Sequence, residues 1–487
     1  MDKSFIAQCE REQLHLSGAI QNHGTLIVAD AECIVTHLAA NLRDYLPANI
    51  DVQVGQQLPP PMADWASELE HKTGARLRLG AAMAGINSEL DAALGRNAQG
   101  HLTIELTPNA DTEHFPAPHF PGFKRPENAA QLLHYQQILT ERVFELSGFE
   151  RVMFYRFRED GDGEVLAEKC SPDSYGSYLG LRFPASDIPQ IARTLYLLNP
   201  WRQIPDALAS PVPLLGQTTE PPDLSYTDLR SVSPVHALYL SNMGVRASLS
   251  FPLIVGNDLW GLIACHHSQP QSLAMAQLAK ISQEVKSHMM SFSAYSSQQR
   301  IQLTEGLNRR FGELRNLVYR EGNILSAWAE MAPWLMREFS ADGATVCLGT
   351  QKVESGVSFE THAFDIFDTW FQHEQNELIW LGDRLGRQVP EFEYSEIAGV
   401  LAVKVRLPNG QALRVYLSRQ EHIYEVAWGG NPDKPVEYDH GNLSIAPRRS
   451  FEKWIEKRIG RSRPWENESR LLALKLREFL VEIGLHG

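Results

Sequence analysis

The 487-residue chain carries 45 basic and 59 acidic side chains, a formal net charge of −14, and 43% of its residues are hydrophobic. This length predicts about three domains, each able to bury a core. The acidic balance argues against binding to nucleic acid or anionic membranes, and no apolar run could span a bilayer, so the sequence predicts a soluble cytoplasmic protein.

The cysteines and the common motifs exclude several classes of protein. The five cysteines are odd in number and widely spaced, with no C-x-x-C pair, so reduced thiols are expected rather than a disulfide framework or a zinc ribbon. No P-loop, G-x-S-x-G or H-E-x-x-H motif is present, and we expect no metal site. Cys265 and His266 are neighbours on a predicted strand and would face apart, which disfavours a Cys/His hydrolase.

The first predicted domain is a small α/β domain from about 25 to 110. Alternating, β-branched runs at 25–29 and 102–107 predict strands. A run rich in proline and histidine at 114–122 predicts a linker. Ahead of the domain, Cys9 lies in a polar, acidic segment, where an isolated thiol usually has no role.

A second domain is predicted to begin near Asn128 with an amphipathic helix over 130–139. The alternating run 151–157 predicts a strand. A turn at 160–164, rich in aspartate and glycine, joins it to a second strand at 165–168, so a hairpin is expected.

Two prolines bracket an aspartate in the motif 182–190. Each proline fixes its own φ and disfavours the helical region for the residue before it, so Phe183 and Ile188 should be extended and Asp187 presented stiffly. A helix is expected from Gln190. Local chemistry alone favours a rigid loop with a helix-capping aspartate.

A proline-rich excursion follows this motif, with Arg202 and Arg230 at its flanks. Each arginine is either a solvated surface charge or a clamp on carboxylates, for which a planar guanidinium is suited. Beyond it, 247–255 and 259–267 predict buried strands of a hairpin. The two histidines at 266–267 point to opposite faces, so they would not easily share one metal.

A long proline-free stretch covers 271–332, with apolar residues three and four apart. It predicts a helix of about fifty residues, roughly 75 Å long, that serves as a spine between domains and a dimer seam. The alternative is two shorter helices, broken near Ser291 or Gly306.

The third domain is predicted from about 322 to the end of the chain. The runs 401–407 and 413–417, joined at an Asn-Gly turn, predict a hairpin. A final helix with heptad-like apolar spacing is expected from about Pro464.

Several of these features, in this order, resemble one family. They are the motif at 182–190, the polar residues within 236–266, and the signatures W-G-G (428–430), P-R-x-S-F (447–451) and W-x-E (454–456). The chain is similar to a bacterial phytochrome, a red-light sensor that binds a bilin.

The resemblance implies an α+β multidomain fold in which PAS and GAF domains, antiparallel sheets with flanking helices, form a figure-of-eight knot. A GAF-like PHY domain would follow along a long helical spine. The implied boundaries are 1–120 for PAS, 121–300 for GAF and 301–487 for PHY, whose tongue spans about 420–460. Ile20 matches the residue that relatives thread through a lasso of the GAF domain.

The resemblance also implies a cofactor, biliverdin IXα, held by a thioether to Cys9. The other implied contacts of this linear tetrapyrrole are Tyr155, Tyr178, Phe183, Asp187, Ile188, Tyr196, Arg202, Arg230, His236, Tyr239, Ser248, Ser250 and His266.

The family assigns roles to these positions. The backbone carbonyl of Asp187 would accept from pyrrole N–H groups, with His236 stacked beside them. The propionates would be held by two arginines and two serines, namely Arg202, Arg230, Ser248 and Ser250. The D ring would lie among four aromatic residues and bond His266 through its carbonyl; these aromatic residues are Tyr155, Tyr178, Phe183 and Tyr239.

A light-driven switch is implied as well. Asp187 would pair with Arg448 of the tongue in one state and turn toward Ser450 in the other, while the tongue changes from hairpin to helix. The remaining implied switch residues are Trp428, Trp454 and Glu456.

The implied partners are a second copy of the chain, paired through the spine, and an output module or downstream signalling protein. No kinase or cyclase motif occurs, so we expect no enzymatic activity, and a histidine kinase or diguanylate cyclase output would lie beyond Gly487. The competing hypothesis is a GAF-type sensor of a cyclic nucleotide or free tetrapyrrole, without photochemistry.

Overall fold

The computed structural model describes residues 12–80, 87, 89–109, 122–172, 174, 176–389, 396–432, 436–439, 442–445 and 451–486. The chain divides into two compact units, Met1–Tyr295 with Ala427–Trp454 and Ser296–Val426 with Ile455–Gly487. Among the described residues, no helix is both long and apolar enough to cross a bilayer.

The helices are α1 (Leu42–Tyr45), α2 (Pro60–Glu68), α3 (Ala129–Ser147), α4 (Gln190–Leu198), α5 (Pro234–Asn242), α6 (Met275–Glu321), α7 (Ile324–Glu338), α8 (Thr361–His373), α9 (Leu385–Gln388) and α10 (Asn467–His486). The strands are β1 (Ala19–Ile20), β2 (Thr25–Ala29), β3 (Val35–Ala39), β4 (Arg76–Leu79), β5 (Leu90–Arg96), β6 (Leu102–Pro108), β7 (Arg151–Phe157), β8 (Gly163–Cys170), β9 (Arg182–Phe183), β10 (Arg202–Ile204), β11 (Val212–Gly216), β12 (Ala247–Val255), β13 (Asp258–His267), β14 (Gly343–Leu348), β15 (Gln351–Gly356), β16 (Ile379–Gly382), β17 (Ile397–Arg406), β18 (Ala412–Gln420), β19 (Tyr424–Gly429), β20 (Val436–Asp439), β21 (Asn442–Ile445) and β22 (Lys453–Arg458).

The first sheet has the strand order β1-β11-β3-β2-β6-β5-β4 and is antiparallel. Its core side packs on Met62 and Trp65 of α2. Strand β11 comes from the proline-rich excursion, so that segment adds a strand to a sheet formed by much earlier residues. Ile20 is fully buried against Leu224 and Leu229 of the same excursion.

The second sheet has the order β10-β12-β13-β7-β8-β9-β19-β22. Side chains alternate across each strand, which gives the sheet two different faces. Val152 and Phe154 join the core beneath α3 and the first turns of α6. Met153 and Tyr155 point to the opposite face, where they line a cavity.

Strands β19 and β22 extend this second sheet. Trp428 of β19 pairs in parallel with Arg182 of β9. Residues 453–458 form a strand, although the sequence from Phe451 to Ile459 is also rich in helix formers. Pairing with a neighbouring strand thus overrides local helix propensity here.

Helix α6 is continuous over 47 residues and passes through Ser291 and Gly306 without a break. It ends where Gly322 adopts a left-handed φ of +83°. Asn323 then caps α7 by accepting a hydrogen bond from the Ser326 amide. The single long helix is therefore confirmed, and the two-helix alternative is wrong.

The second unit contains an antiparallel sheet of order β15-β14-β18-β17-β16. Its hairpin, β17 with β18, is formed as predicted around the Asn-Gly turn, with Arg406 paired to Ala412. One face packs on α7 and α10 through Trp328 and Leu476. The other packs on aromatic residues of α8 such as Phe367. Helix α10 begins at Asn467, slightly after the predicted start.

Candidate ligand-binding cavity

A cavity of about 520 Å³ lies in the first unit, on the second sheet's face that carries Met153 and Tyr155. The sequence-predicted residues that line it are Tyr155, Tyr178, Phe183, Asp187, Ile188, Tyr196, Arg202, Arg230, His236, Tyr239, Ser248, Ser250 and His266. Cys9, the predicted attachment residue, lies outside the described residues.

Strand alternation explains how the sheet contributes to this cavity. Ser248 and Ser250 face it from β12, and His266 faces it from β13, directly opposite Ser248 in the register. Leu262 also lines the cavity, although no sequence motif includes it. A period of two, counted back from His266, would have found it.

The proline-bracketed motif places Asp187 in a short 3-10 turn, where its amide donates to the Pro184 carbonyl at 2.9 Å. Its carboxylate oxygen Oδ2 accepts a hydrogen bond from the Tyr239 hydroxyl at 3.0 Å. Pro189, without a side-chain cap, precedes α4. The helix-capping interpretation of Asp187 is therefore wrong, and the residue faces the cavity instead.

Two arginines, the buried Arg230 and the half-buried Arg202, give the cavity positive charge. Arg202 donates to the backbone carbonyls of Asp228 and Ser231 at 3.0 Å each. Burial and the charge of Arg202 lower the pKa of Arg230 to about 9. Within the described part of the chain, Arg230 Nη1 has no hydrogen-bond partner and neither guanidinium forms an ion pair. These groups fit a ligand that carries carboxylates, because a buried cation requires a partner.

Two histidines in the cavity wall are held neutral. Burial and the charge of Arg202 lower the pKa of His236 to about 4. Burial, followed by Arg151 and His236, lowers the pKa of His266 to about 3. Among the described residues, His266 Nδ1 has no hydrogen-bond partner. A neutral imidazole has one nitrogen that donates a hydrogen bond and one that accepts, so it suits a polar, uncharged ligand group.

Aromatic residues gather around Phe183 at the cavity wall. The rings of Tyr178 and Tyr155 lie 5.7 and 6.1 Å from its centroid. The ring of Tyr155 also passes so close to Gly163 that a β-carbon there would overlap it. Glycine at 163 is thus required for the ring's position.

The aromatic wall continues to residues of the predicted tongue. A β-carbon at Gly429 would lie 2.6 Å from two Phe183 ring atoms. Phe451 packs edge-on against Tyr239, with ring centroids 5.2 Å apart. The cavity wall therefore packs against the backbone of β19 at Gly429 and against the side chain of Phe451.

The predicted switch residues differ in how exposed they are and in whether the structure describes them. Trp428 is 3% exposed beside β9. Trp454 is 37% exposed, and Glu456 accepts from Arg458 Nε at 3.3 Å; neither lines the cavity. Arg448 and Ser450 fall outside the described residues.

Family models match the chain as three consecutive regions: a PAS fold over 9–109, a GAF domain over 132–285 and a phytochrome region over 309–487. Together with the cavity in the GAF sheet, this succession defines the class of protein as a PAS–GAF–PHY photosensory module. The predicted fold class, with its long helical spine, is confirmed.

Relatives specify the family further. A bacteriophytochrome of Pseudomonas aeruginosa is 31% identical over 99% of this chain and 67% of its own length. Cyanobacterial phytochromes B and A of Nostoc are 30% and 31% identical over 99% of this chain, which spans 66% and 65% of their lengths. The chain belongs to the phytochrome family and is similar to its bacterial members.

Solved structures agree with this assignment. The photosensory core module of Stigmatella aurantiaca phytochrome matches with a TM-score of 0.78 and 28% identity, over 98% of each chain. A bacteriophytochrome from R. palustris matches with a TM-score of 0.74 and 26% identity, over 98% of this chain and 99% of its own.

Proposed function

We propose that this chain is the sensory part of a red/far-red light receptor that binds biliverdin IXα covalently through Cys9. The observation that carries the proposal is the cavity, where thirteen family-implied residues converge. The guanidiniums of the buried Arg230 and the half-buried Arg202 form no ion pair among the described residues, and they fit the two propionates of a bilin. Its neutral histidines fit uncharged pyrrole and lactam groups.

Different residues of the chain would hold different parts of this ligand. Arg202 and Arg230 would bind the propionates, assisted by Ser248 and Ser250 on the neighbouring strand. The Asp187 carbonyl would accept pyrrole N–H groups. When bound, the bilin supplies a double bond between its C and D rings that light isomerises.

The response of the chain would begin at the aromatic wall. His266 would release the D-ring carbonyl, and Tyr178 and Phe183 would repack. Because Phe183 touches Gly429, such repacking reaches β19 directly. Asp187 would exchange Arg448 for Ser450, and a charge pair in a partly dry site can supply the few kcal/mol that shift a two-state population. The tongue would then change from hairpin to helix.

The wider assignment belongs to the same proposal. It comprises a cytoplasmic homodimer paired along α6, and a sensory part without enzymatic activity that controls an output module or a separate signalling protein. The domains would span 1–120, 121–300 and 301–487.

Co-expression with a haem oxygenase tests the function. The purified protein should be coloured, and red light should shift its absorption band reversibly. A coloured protein whose spectrum never changes under illumination would support the non-photochemical sensor instead. A protein that takes up no bilin would refute both the receptor and the tetrapyrrole site.

The attachment residue is tested in the same material. Cys9→Ala should bind pigment that no longer survives acid denaturation, because the thioether is lost. The matched control is Cys33→Ala, which replaces a half-buried cysteine packed against the core of the first sheet. This variant should retain covalent pigment. Pigment that stays attached in Cys9→Ala would move the attachment to another thiol.

The switch is tested by Arg448→Ala, which should leave bilin uptake intact and shorten the lifetime of the light-generated state. Lys457→Ala, at a well-exposed cation of β22, is the control. Equal lifetimes in the two variants would remove Arg448 from the switch.

A further inference from the structure

A buried ion pair lies behind the cavity wall, outside the set of lining residues. Arg151 begins β7 and Glu168 lies near the end of β8, and the two side chains are 8% and 4% exposed. Arg151 Nη1 donates to Glu168 Oε1. Burying two charges is costly, and such a pair is often no more stabilising than apolar residues of the same size. Such a pair can, however, fix the positions of the groups that it contacts.

The Glu168 carboxylate organises the loop that carries Tyr178. It accepts from the amide of Tyr178 at 3.0 Å and from the amide of Leu179 at 3.2 Å. The Ser177 hydroxyl donates to it as well. Burial alone would raise the pKa of Glu168, but these hydrogen bonds and the charge of Arg151 hold it below its usual value. The group is therefore a carboxylate that accepts from three donors of one loop.

Arg151 holds the same loop from the other side. Its Nη2 donates to the Gly176 carbonyl at 2.9 Å. Its Cζ atom lies 4.2 Å from the centroid of the Tyr178 ring. Arg151 is also the register partner of His266 on β13. One guanidinium thus contacts the loop backbone and the ring of Tyr178, and lies on the strand beside His266.

We propose that Arg151 and Glu168 are a positioning pair that fixes Tyr178 in the cavity wall and thereby sets how long the light-generated state persists. The inference rests on the proposed function, because it concerns the residues around the D ring. Neither residue lines the cavity, so both act on the ligand through Tyr178 and the neighbouring His266. Loss of either contact frees the ring of Tyr178, lowers the barrier to thermal return and shortens that state.

The test compares Glu168→Gln with Glu164→Gln. Glu164 pairs with Arg158 at 2.7 Å in the same β-hairpin, but both side chains are 23% exposed and neither lines the cavity. In protein without pigment, Glu168→Gln should speed hydrogen exchange at the Tyr178 and Leu179 amides by about threefold or more, since an amide accepts more weakly than a carboxylate. Glu164→Gln should leave these rates unchanged.

In pigment-loaded protein, Glu168→Gln should speed dark return of the light-generated state at least about threefold, which corresponds to a barrier lower by about 0.7 kcal/mol or more. Arg151→Lys keeps the positive charge but removes the planar guanidinium, which donates to the Gly176 carbonyl and packs on the Tyr178 ring. This variant should therefore speed the dark return as well. This second variant decides the matter if Glu168→Gln does not fold.

Two results would overturn the proposal: exchange at Tyr178 that matches the Glu164→Gln control, or dark return at the wild-type rate in both variants. Failure of the proposed function is a separate result. Wild-type protein that binds no bilin, or never changes its spectrum, refutes the receptor before any variant is compared.

Discussion

His288 on α6 is buried, with 1% of its surface exposed, between the rings of Phe123 and Phe154 at 4.9 and 5.5 Å. Neither ring nitrogen has a hydrogen-bond partner among the described residues. Burial lowers its pKa to about 4, so the ring is neutral. A buried polar group without a partner costs about 1–3 kcal/mol, which makes this residue a local weakness in the GAF core.

Replacing His288 with phenylalanine should therefore raise the free energy of unfolding by about 1–2 kcal/mol, because the unpaired nitrogens are removed and the ring is kept. Chemical denaturation of the pigment-free protein measures this. His134→Phe, at an exposed position of α3, should change stability by less than about 0.5 kcal/mol. A destabilised His288→Phe would mean that the imidazole has a partner in solution.

At the scale of elements, β19 lies between β9 and β22 in the cavity-bearing sheet, and its Trp428 pairs in parallel with Arg182 of β9. Its close approach depends on Gly429, where an added β-carbon would overlap the ring of Phe183. Residue 429 therefore couples the position of β19 to that of the Phe183 ring.

Gly429→Ala should undock β19, because its β-carbon would lie 2.6 Å from the Phe183 ring and overpacking costs about 1–3 kcal/mol. Hydrogen exchange should accelerate at 424–429, while bilin uptake stays intact. Gly80→Ala is the control, since no atom of the described residues lies within 4 Å of its added carbon. Hydrogen exchange of β19 at the wild-type rate in Gly429→Ala would show that the Phe183 ring moves aside without measurable cost.

At the scale of the whole molecule, buried titratable groups link stability to pH. Burial lowers the pKa of four histidines to about 4, 4, 3 and 4, namely His23, His236, His266 and His288. Each stays neutral in the folded chain but gains a proton near pH 6.5 when unfolded. Their stabilisation is complete above that pH and is lost as pH falls toward the folded values.

Glu105 acts in the opposite sense. Burial and the charge of Asp228 raise its pKa. Its stabilisation is complete below the unfolded pKa of about 4.5 and is lost as pH rises through the folded value. Between pH 5 and 6.5 the four histidines outnumber this one carboxyl group, so they decide the sign of the net slope.

The free energy of unfolding should thus fall as the pH is lowered from 6.5 to 5, by up to about 1.4 kcal/mol per pH unit for each histidine. Guanidinium titrations of the pigment-free protein at several pH values measure the slope. In His288→Phe the slope of the unfolding free energy against pH should be smaller by the contribution of one histidine. Stability that rises on acidification would show that these histidines are protonated in the folded chain.

Much of this architecture can be predicted because its signals are local. Alternation within 151–157 and 247–255 reports which side chains face together, and the prolines around Asp187 restrict its backbone directly. An ordered set of motifs then assigns the cavity residues to one site. Residues without a distinctive chemistry, such as Met153, escape this reasoning although they share a face with Tyr155.

Sequence by itself determined the long helix and many of the strands, because periodicity and backbone restriction act over a few residues. The kinds of domain and the polar residues of the cavity followed instead from the resemblance of the ordered motifs to one family. Only the tertiary structure decided that β11 completes the first sheet, that β19 pairs with β9, and that 453–458 is a strand. Pairing between distant segments leaves no local periodicity, since its free energy depends on which surfaces meet after folding.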